Sequence, residues 1–140
     1  GVIPANEVRD QLSMEMDWFP TLAELTNSKV AADLDGKSLM PIILDNNKES
    51  VHEVVHWQLD NYDDKMAQWA IRKGPWKLIG NVREPIGKGE KIDLDKLYLV
   101  NLDNDIGEKN NLAKSDPEKL NELLQLHTSW IKSVRSEMKQ

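Results

Sequence analysis

Cysteine is absent from this sequence of 140 residues. Without a thiol the chain can form no disulfide, cannot perform thiolate catalysis and cannot build a cysteine-type zinc site. The same absence leaves the cellular compartment undecided, since chains without disulfides occur in reducing and oxidising compartments alike.

Long apolar runs and basic clusters are also missing. No eighteen consecutive apolar residues occur, which excludes a membrane-spanning helix, and the opening GVIPANEVRD has neither the basic start nor the apolar core of a signal peptide. The net charge is −6 at neutral pH, with acids and bases interspersed. Because a nucleic-acid binder needs a basic face, we expect no nucleic-acid partner.

Short helices are predicted near the N-terminus. The segment MDWFPTLAELT predicts a helix over residues 18–26, with Asp17 as its N-cap and Pro20 in its first turn. Its apolar residues recur at helical spacing: Trp18, Leu22 and Leu25. A second short helix, or a single helical turn, is predicted in KSLMPIILD, where Ser38 precedes an apolar run.

Four strands are predicted farther along the chain. SVHEVVHWQL, residues 50–59, alternates in polarity and is rich in β-branched residues. MAQWAIRKGPWKLIGN predicts a hairpin that turns at RKGP, and KLYLVNL predicts a fourth strand. The polar, glycine-rich VREPIGKGEKIDLD between them predicts a loop.

The C-terminal segment predicts a long amphipathic helix. Ser115 and Glu118 have the spacing of a capping box, and Pro117 stands just inside the predicted helix start. Apolar or ring-bearing residues then recur at three- and four-residue spacing: Leu120, Leu123, Leu124, His127, Trp130, Ile131, Val134 and Met138. The predicted fold class is therefore α+β, with a small four-stranded antiparallel sheet packed by this helix and with short N-terminal helices.

The stretch LYLVNLDNDIGEKNNLA is rich in carboxylates and amides, as calcium loops are. An EF-hand loop needs glycine at its sixth position and glutamate at its twelfth, and counting from Asn101 or from Asp103 places Leu112 or Lys114 at the twelfth. We therefore interpret the stretch as a strand followed by a turn into the last helix. Three carboxylates are expected to accept hydrogen bonds from backbone amides there: Asp103, Asp105 and Glu108.

The histidines do not predict a metal site. His52 and His56 share a face of the predicted strand, but the rise of a strand places them about 13 Å apart, too far for one ion. His127 lies on the apolar stripe of the last helix and is expected in the core or at its boundary. No G-x-S-x-G elbow and no phosphate-binding glycine motif occurs. The residues alone therefore predict no catalytic residue and no metal ligand.

Four segments, in this order, resemble the C-terminal part of the type I sulfatases, the formylglycine-dependent sulfate ester hydrolases of the alkaline phosphatase superfamily. They are GVIPANEVRDQLSMEMDWFPTLAELT, LDGKSLMPIIL, QWAIRKGPWKLI and LYLVNLDNDIGEKNNLA. The third is similar to the family hairpin A-x-R-x-G-x-W-K-L-I. The fourth is similar to E-LYDL-x-x-DP-x-E-x-x-NLA, except that Ile106 stands where the family usually has proline and Leu99-Val100 replaces Asp-Leu.

The resemblance implies that the catalytic parts lie elsewhere. The family motif C/S-x-P-S/A-x-R, whose first residue becomes formylglycine, has no match here, and neither do the calcium ligands. Residues 1–49 are thus expected to be a linker with short helices that continues from a missing N-terminal catalytic domain, and residues 50–140 the C-terminal subdomain. Calcium and formylglycine are expected in the parent enzyme, which family habit would make periplasmic or secreted. Its substrate is not indicated by these residues.

The resemblance also suggests a rim of the substrate cleft. Loops of this subdomain border the cleft in the family, which makes His56, Trp57 and Asn61 in HEVVHWQLDNYDD candidates for substrate contact. This assignment depends on general location and matches no motif. The alternative is that His56 and Trp57 pack within the sheet or a domain interface.

Two functions are compatible with these observations. In the first, the chain is the C-terminal portion of a sulfatase, inert by itself, which completes the fold and shapes the cleft rim. In the second, it is a free-standing binding or oligomerisation module without enzymatic activity. Under the first hypothesis the surface that faces the missing domain is apolar, so self-association of the isolated chain is expected.

Overall fold

The computed structural model describes residues 3–30, 33–59, 68–80 and 97–137. The chain divides into two compact units, Gly1–Glu53 and Val54–Gln140. The predicted loop VREPIGKGEKIDLD, Asn61 and Met138 lie outside the described residues. The assignment of residues 1–49 as a linker stays a prediction.

The described part of the first unit contains a 3-10 turn, Glu15–Asp17, helix α1, Trp18–Leu25, and helix α2, Met40–Leu44. Both predicted short helices are present. Asp17 is the N-cap residue of α1, as predicted, but its backbone is already helical and its side chain makes no capping bond to α1. The 3-10 turn continues directly into α1, so the Asp17 carboxylate accepts a hydrogen bond from the backbone N–H of Met14 instead.

The second unit contains an antiparallel sheet with strand order β1-β2-β3-β4. Its strands are β1, Val54–Leu59, β2, Gln68–Lys73, β3, Trp76–Gly80, and β4, Tyr98–Asn101. The predicted α+β class is confirmed. Strand β1 begins at Val54, later than the predicted residue 50, and the His52 side chain before it binds Asp17.

The hairpin between β2 and β3 has the predicted position. Gly74 has a φ of +56°, a left-handed conformation that glycine adopts without a Cβ penalty, and Pro75 follows it. This turn pairs Lys73 with Trp76 and so fixes the register of the whole hairpin.

Helix α3, Pro117–Glu137, packs against β2 and β3. Its predicted capping box is wrong. The N-cap is Asp116, whose Oδ1 accepts the Lys119 backbone N–H at 3.0 Å, while the Ser115 hydroxyl donates to the carbonyl of Leu112. Pro117 therefore occupies the first helical position, where its missing N–H has no intrahelical partner to lose.

The core of the second unit lies between the sheet and α3. Ile71, Leu78 and Leu99 pack with Leu123 of α3, and all four are fully buried. His127 is 6% exposed, as expected for a core or boundary residue. Among the described residues, no helix is long and apolar enough to cross a membrane.

The polar stretch after β4 forms a turn, as interpreted from the sequence. Only one of its three carboxylates behaves as expected: Asp105 Oδ2 accepts the backbone N–H groups of Lys109 and Asn110, both at 2.8 Å. Glu108 instead pairs with Lys77 Nζ, 2.7 Å away, and Asp103 donates its own N–H to the side chain of Asn101. The two bonds to Asp105 hold the pKa of its carboxyl below its usual value, against the effect of desolvation.

Candidate functional site

Two rows of side chains cross the sheet on opposite faces. Because neighbouring residues of a strand point to opposite faces, the register separates His56 from Trp57. The row facing α3 is His56, Ile71, Leu78 and Leu99. The row on the other face is Trp57, Ala70, Ile79 and Tyr98. The two candidate rim residues of β1 therefore cannot line one surface together.

His56 takes part in a group of stacked rings on the α3 side. Its imidazole lies parallel to the indole of Trp130, with centroids 4.5 Å apart, and the imidazole of His127 stacks on Trp69 at 3.9 Å. The two imidazole centroids are 5.9 Å apart. These stacked rings fill space between the sheet and the helix.

The surroundings of these imidazoles keep them neutral. Burial, and secondarily the neighbouring His127, lowers the pKa of His56 to about 4, and burial also lowers the pKa of His127. The Nδ1 atoms of both are buried with no hydrogen-bond partner in the described part of the chain. A neutral, packed imidazole suits sheet–helix packing, so the packing alternative raised from the sequence describes His56 well.

The other face of the sheet carries an exposed apolar surface. Trp57 is 37% exposed and Leu59 is 68% exposed. Beside them lies a groove of about 460 Å³ whose further lining residues are Arg72, Lys77, Leu102, Ile106 and Glu108. We call the row Trp57, Ala70, Ile79 and Tyr98, together with Leu59 and this groove, the open sheet face.

The charges of the groove are engaged within the chain. Lys77 and Glu108 form a half-buried ion pair, and Arg72 Nε donates to the carbonyl of Gly74 at 2.9 Å. The Tyr98 hydroxyl donates to the Glu108 carbonyl at 2.8 Å, which helps to hold Glu108 at its left-handed φ of +50°. The turn that borders the groove is therefore fixed from the sheet by two side chains.

In the first unit, a buried carboxylate joins three segments. Asp17 is fully buried, and its Oδ1 is 2.7 Å from His52 Nε2 and accepts the Lys37 backbone N–H at 2.8 Å. Burial alone would raise the pKa of Asp17, but hydrogen bonds from Lys37, His52 and Met14 hold that pKa below its ordinary value. The buried Thr21 extends the network, since its hydroxyl donates to the Asp17 carbonyl and accepts the Leu39 N–H.

Sequence patterns did not predict this Asp17 network. Asp17 and His52 are distant in sequence, and no motif spacing links them. The open-face row, by contrast, follows from the hairpin register once the turn at Gly74 is known, because the pairing of Lys73 with Trp76 also pairs Ala70 with Ile79. Among the described residues, no group of three potential ligand side chains could hold a metal ion.

Helix α1 presents a second exposed apolar surface. Thr21 and Ala23 are its buried residues, so its large apolar side chains point outward. Four of them are more than half exposed: Trp18, Phe19, Leu22 and Leu25. We call these four residues the α1 face.

Comparison with known proteins adds a family relationship. The family model described as N-sulphoglucosamine sulphohydrolase, C-terminal, matches residues 1–137. A sulfatase of Formosa agariphila is 27% identical over 128 residues, which cover 84% of this chain and 22% of that protein. The steryl-sulfatase of Rattus norvegicus is 35% identical over 68 residues, which cover 47% of this chain and 12% of that protein.

A solved structure shows the same fold. The structure of BT4656 in complex with its substrate D-glucosamine-2-N,6-O-disulfate matches 96% of this chain with a TM-score of 0.74 at 22% identity. The match covers 27% of that longer chain. This chain thus spans only about a quarter or less of the length of the relatives it matches.

Proposed function

The chain belongs to the N-sulphoglucosamine sulphohydrolase C-terminal family, and from this premise we propose that it is the C-terminal portion of a longer sulfuric ester hydrolase, here called the parent protein. In the parent it would complete the fold without performing the reaction itself. The observation that carries the proposal is the match over residues 1–137 in a chain that contains none of the catalytic motifs. No finding supports the alternative of a free-standing binding or oligomerisation module.

The cofactors expected in this class of enzyme do not fit residues of this chain. Formylglycine is made from a cysteine or serine within C/S-x-P-S/A-x-R, and this chain has no cysteine and no such motif. No described group of side chains is arranged to hold calcium. We therefore assign formylglycine and calcium to the N-terminal domain of the parent protein, and derive no catalytic step from residues of this chain.

The N-terminal domain is also the proposed partner of the α1 face. Leaving several large apolar side chains in water is unfavourable by roughly 25 cal/mol for each Å² of apolar surface, and contiguous patches of this kind usually mark interfaces. Helix α1 is only eight residues long and buries chiefly Thr21 and Ala23 on its inner side. Contact between the α1 face and the N-terminal domain would remove the outer side from water.

The rim residues remain part of the proposal in a modified form. Trp57 is the stronger candidate for contact outside the chain, because its side chain is exposed whereas His56 is stacked on Trp130. Asn61 follows β1 in sequence and lies outside the described residues. Because sulfatases of this family are usually secretory, we further propose that the parent protein is periplasmic or secreted.

The experiment compares the parent protein with residues 1–140 alone. Both are assayed with an aryl sulfate and added calcium, and the coding sequence before Gly1 is read for C/S-x-P-S/A-x-R in frame. We expect turnover by the parent, none by residues 1–140, and loss of turnover when the first residue of the upstream motif is replaced by alanine. Turnover by residues 1–140, abolished by a substitution within them, would overturn the proposal.

A further inference from the structure

Helix α3 is attached to the sheet by different contacts in its two halves, residues 117–126 and 127–137. The first half is fixed by the Asp116 cap and by an ion pair between Lys73 Nζ and Glu122 Oε1, 3.1 Å apart. None of the described residues of the second half belongs to the aliphatic core. The helix residues that do pack in or against that core all lie in the first half: Leu120, Leu123, Leu124 and Leu126.

The second half meets the sheet through aromatic rings. His127 stacks on Trp69 of β2, and Trp130 stacks on His56 of β1. His127 also lies beside the second pair, since its ring centroid is 5.9 Å from that of His56 and 5.8 Å from that of Trp130. We call these four residues the ring cluster.

The two imidazoles of the ring cluster are packed in a way that suits only their neutral form. A neutral imidazole has one donor and one acceptor nitrogen, whereas both nitrogens of the protonated ring are donors. The Nδ1 atoms of His56 and His127 are buried and have no hydrogen-bond partner among the described residues. A charged N–H placed there would lack an acceptor, which costs more than leaving a neutral nitrogen unbonded.

No described carboxylate is placed to neutralise a protonated ring. Among the strand positions that point to α3 beside the ring cluster, the charged residue is Lys73, a cation that is paired with Glu122. The carboxylates of α3 lie five or more positions from His127 along the helix: Glu118, Glu122 and Glu137. The cations of the second half, which repel a protonated ring, are Lys132 and Arg135.

Two protons are harder to accommodate than one. A cation over the face of an indole is attracted by that ring, so stacking on tryptophan compensates part of the cost of the first proton. A second proton places two like charges on rings whose centroids are 5.9 Å apart, in a partly buried setting where salt screens them weakly. Separation of the rings relieves this repulsion and lets each N–H bond to water.

We propose that the ring cluster is an acid-sensitive contact: when His56 and His127 take up protons, the second half of α3 leaves the sheet while the first half stays packed. The aliphatic core and the Asp116 cap contain no histidine, so they retain the first half as the rings separate. Release uncovers the indole faces of Trp69 and Trp130. These contacts all lie within this chain, so the release is independent of the proposed function.

The imidazoles also set the pH range of the release. The pKa of His56 is about 4 in the packed state against an ordinary 6.5, and burial lowers the pKa of His127 as well. The released half therefore binds more protons between pH 6.5 and pH 4, and lowering the pH within this range favours release. Hydrogen bonds from Lys119 and Lys73 hold the pKa of Glu122 below its ordinary value, so the ion pair of the first half persists at pH 5.

Hydrogen exchange of the full-length protein that contains this chain tests the release. Exchange is followed by mass spectrometry at pH 7 and pH 5 in peptides from each half of α3, with rates corrected for the pH dependence of the chemical exchange step. Between pH 7 and pH 5 we expect the protection of residues 127–137 to fall by at least about tenfold, and that of residues 117–126 to change by less than about twofold. Equal changes in both halves, or no change in either, overturn the proposal.

Two variants identify the titrating groups. His56→Phe combined with His127→Phe keeps flat rings on Trp130 and Trp69 but cannot be protonated, so the second half should stay protected at pH 5. Glu122→Gln is the control, because it removes a titrating carboxylate of the first half and should leave the pH effect in place.

A pH effect that survives in the double variant overturns the proposal. So does an effect that is lost in Glu122→Gln, because acid would then act through the pair with Lys73. The comparison of the two halves in the unsubstituted protein decides the outcome even where the double variant does not fold.

Discussion

The two units of the chain have interiors of different chemistry. Among the described residues, the first unit fully buries Asp17 and Thr21, joined by a hydrogen bond, beside four nearly buried apolar residues, Ala23, Leu39, Met40 and Ile42, whereas the fully buried side chains of the second unit are all aliphatic. The first unit has helices of only eight and five residues, and in its interior the Asp17 carboxylate binds Met14, Lys37 and His52. The second unit has four strands and a 21-residue helix, which suffice for an apolar core.

Their exposed surfaces differ as well. The α1 face is a stripe of large side chains on a short helix, while the open sheet face is one side of a sheet whose other side is already packed. The second unit is held together by an apolar core between sheet and helix, whereas the first unit also depends on directional polar bonds to Asp17.

Asp17→Ala is expected to destabilise the first unit most. It leaves the N–H groups of Met14 and Lys37 and the ring of His52 without their shared acceptor, at a cost of about 3–5 kcal/mol for breaking a buried polar network. Hydrogen exchange should accelerate in peptides from residues 3–53, with exposed Asp35→Ala as the control. Equal acceleration in peptides from β2 and β3 would contradict the difference between the units.

Leu123→Ala tests the apolar core of the second unit. Leu123 is fully buried against Ile71, Leu78 and Leu99, so its truncation leaves a cavity that costs about 3 kcal/mol. Chemical denaturation should show a lower free energy of unfolding, and hydrogen exchange should locate the loss of protection in β2, β3 and α3. Gln125→Ala, at an exposed position of the same helix, should leave stability nearly unchanged, and a similar loss for both variants would argue against this core.

Gly80→Ala tests the stacked rings beside that core. A Cβ at Gly80 would collide with the indole of Trp69, which stacks on His127, and overpacking of this kind costs about 2 kcal/mol. Gly107→Ala is the matched control, because a Cβ there meets only the flexible side chain of Lys109. The thermal midpoint should fall for Gly80→Ala but not for Gly107→Ala, and the tryptophan fluorescence of Gly80→Ala should change. Equal midpoints for the two variants would show that Trp69 moves aside freely.

Lowering the pH should reduce the stability of the second unit, because its buried imidazoles are neutral in the folded chain. The pKa of His56 is lowered to about 4 in the folded chain, below the ordinary value of 6.5, so the unfolded chain binds more protons between these values. The contribution of the neutral His56 ring to the free energy of unfolding is thus fully present above pH 6.5 and is lost as the pH falls towards 4. The loss between pH 7 and pH 5 should be on the order of 1 kcal/mol. Denaturation midpoints at both pH values measure the loss.

His56→Phe should reduce this pH dependence, because it keeps a ring on Trp130 and removes the titrating group. His127 contributes in the same direction, since its pKa is also lowered by burial. An unchanged pH dependence in His56→Phe would assign the acid sensitivity to other groups.

Of these substitutions, Glu108→Gln should lower the free energy of unfolding least. It breaks the half-buried pair with Lys77, which is worth up to about 1 kcal/mol and less at high salt. The loss, measured by denaturation at low and high salt, should shrink as salt is added. Asp103→Asn in the same turn is the control; a loss that is equally large in high salt would mean that Glu108 acts through geometry and not through charge.

Local patterns predicted much of the fold. The turn at Gly74 and the apolar repeat around Leu123 each depend on residues close together in sequence, and both predictions are confirmed. The helix caps were predicted only in part. The choice between Ser115 and Asp116 depends on where the chain enters α3. Asp17 is the N-cap residue of α1 as predicted, but its carboxylate binds partners outside that helix.

The candidate site was predicted only in part. The sequence singled out His56 and Trp57 together, but adjacent residues of a strand point to opposite faces of the sheet. His56 therefore packs as a stacked ring, whereas Trp57 is exposed on the other face. That separation could have been inferred from the predicted strand, while the pairing of Lys77 with Glu108 could not, because it depends on a turn from beyond β4.

The sequence by itself determined the family, the α+β class and the absence of a formylglycine motif, because ordered short motifs, residue periodicity and a missing residue type are all local properties of a chain. Only the tertiary structure decided that Asp17 would bind His52, that His56 would stack on Trp130 and that Trp57 would remain exposed at the end of its row. These outcomes depend on contacts between residues distant in sequence, whose energies are set by burial and by the register of the strands.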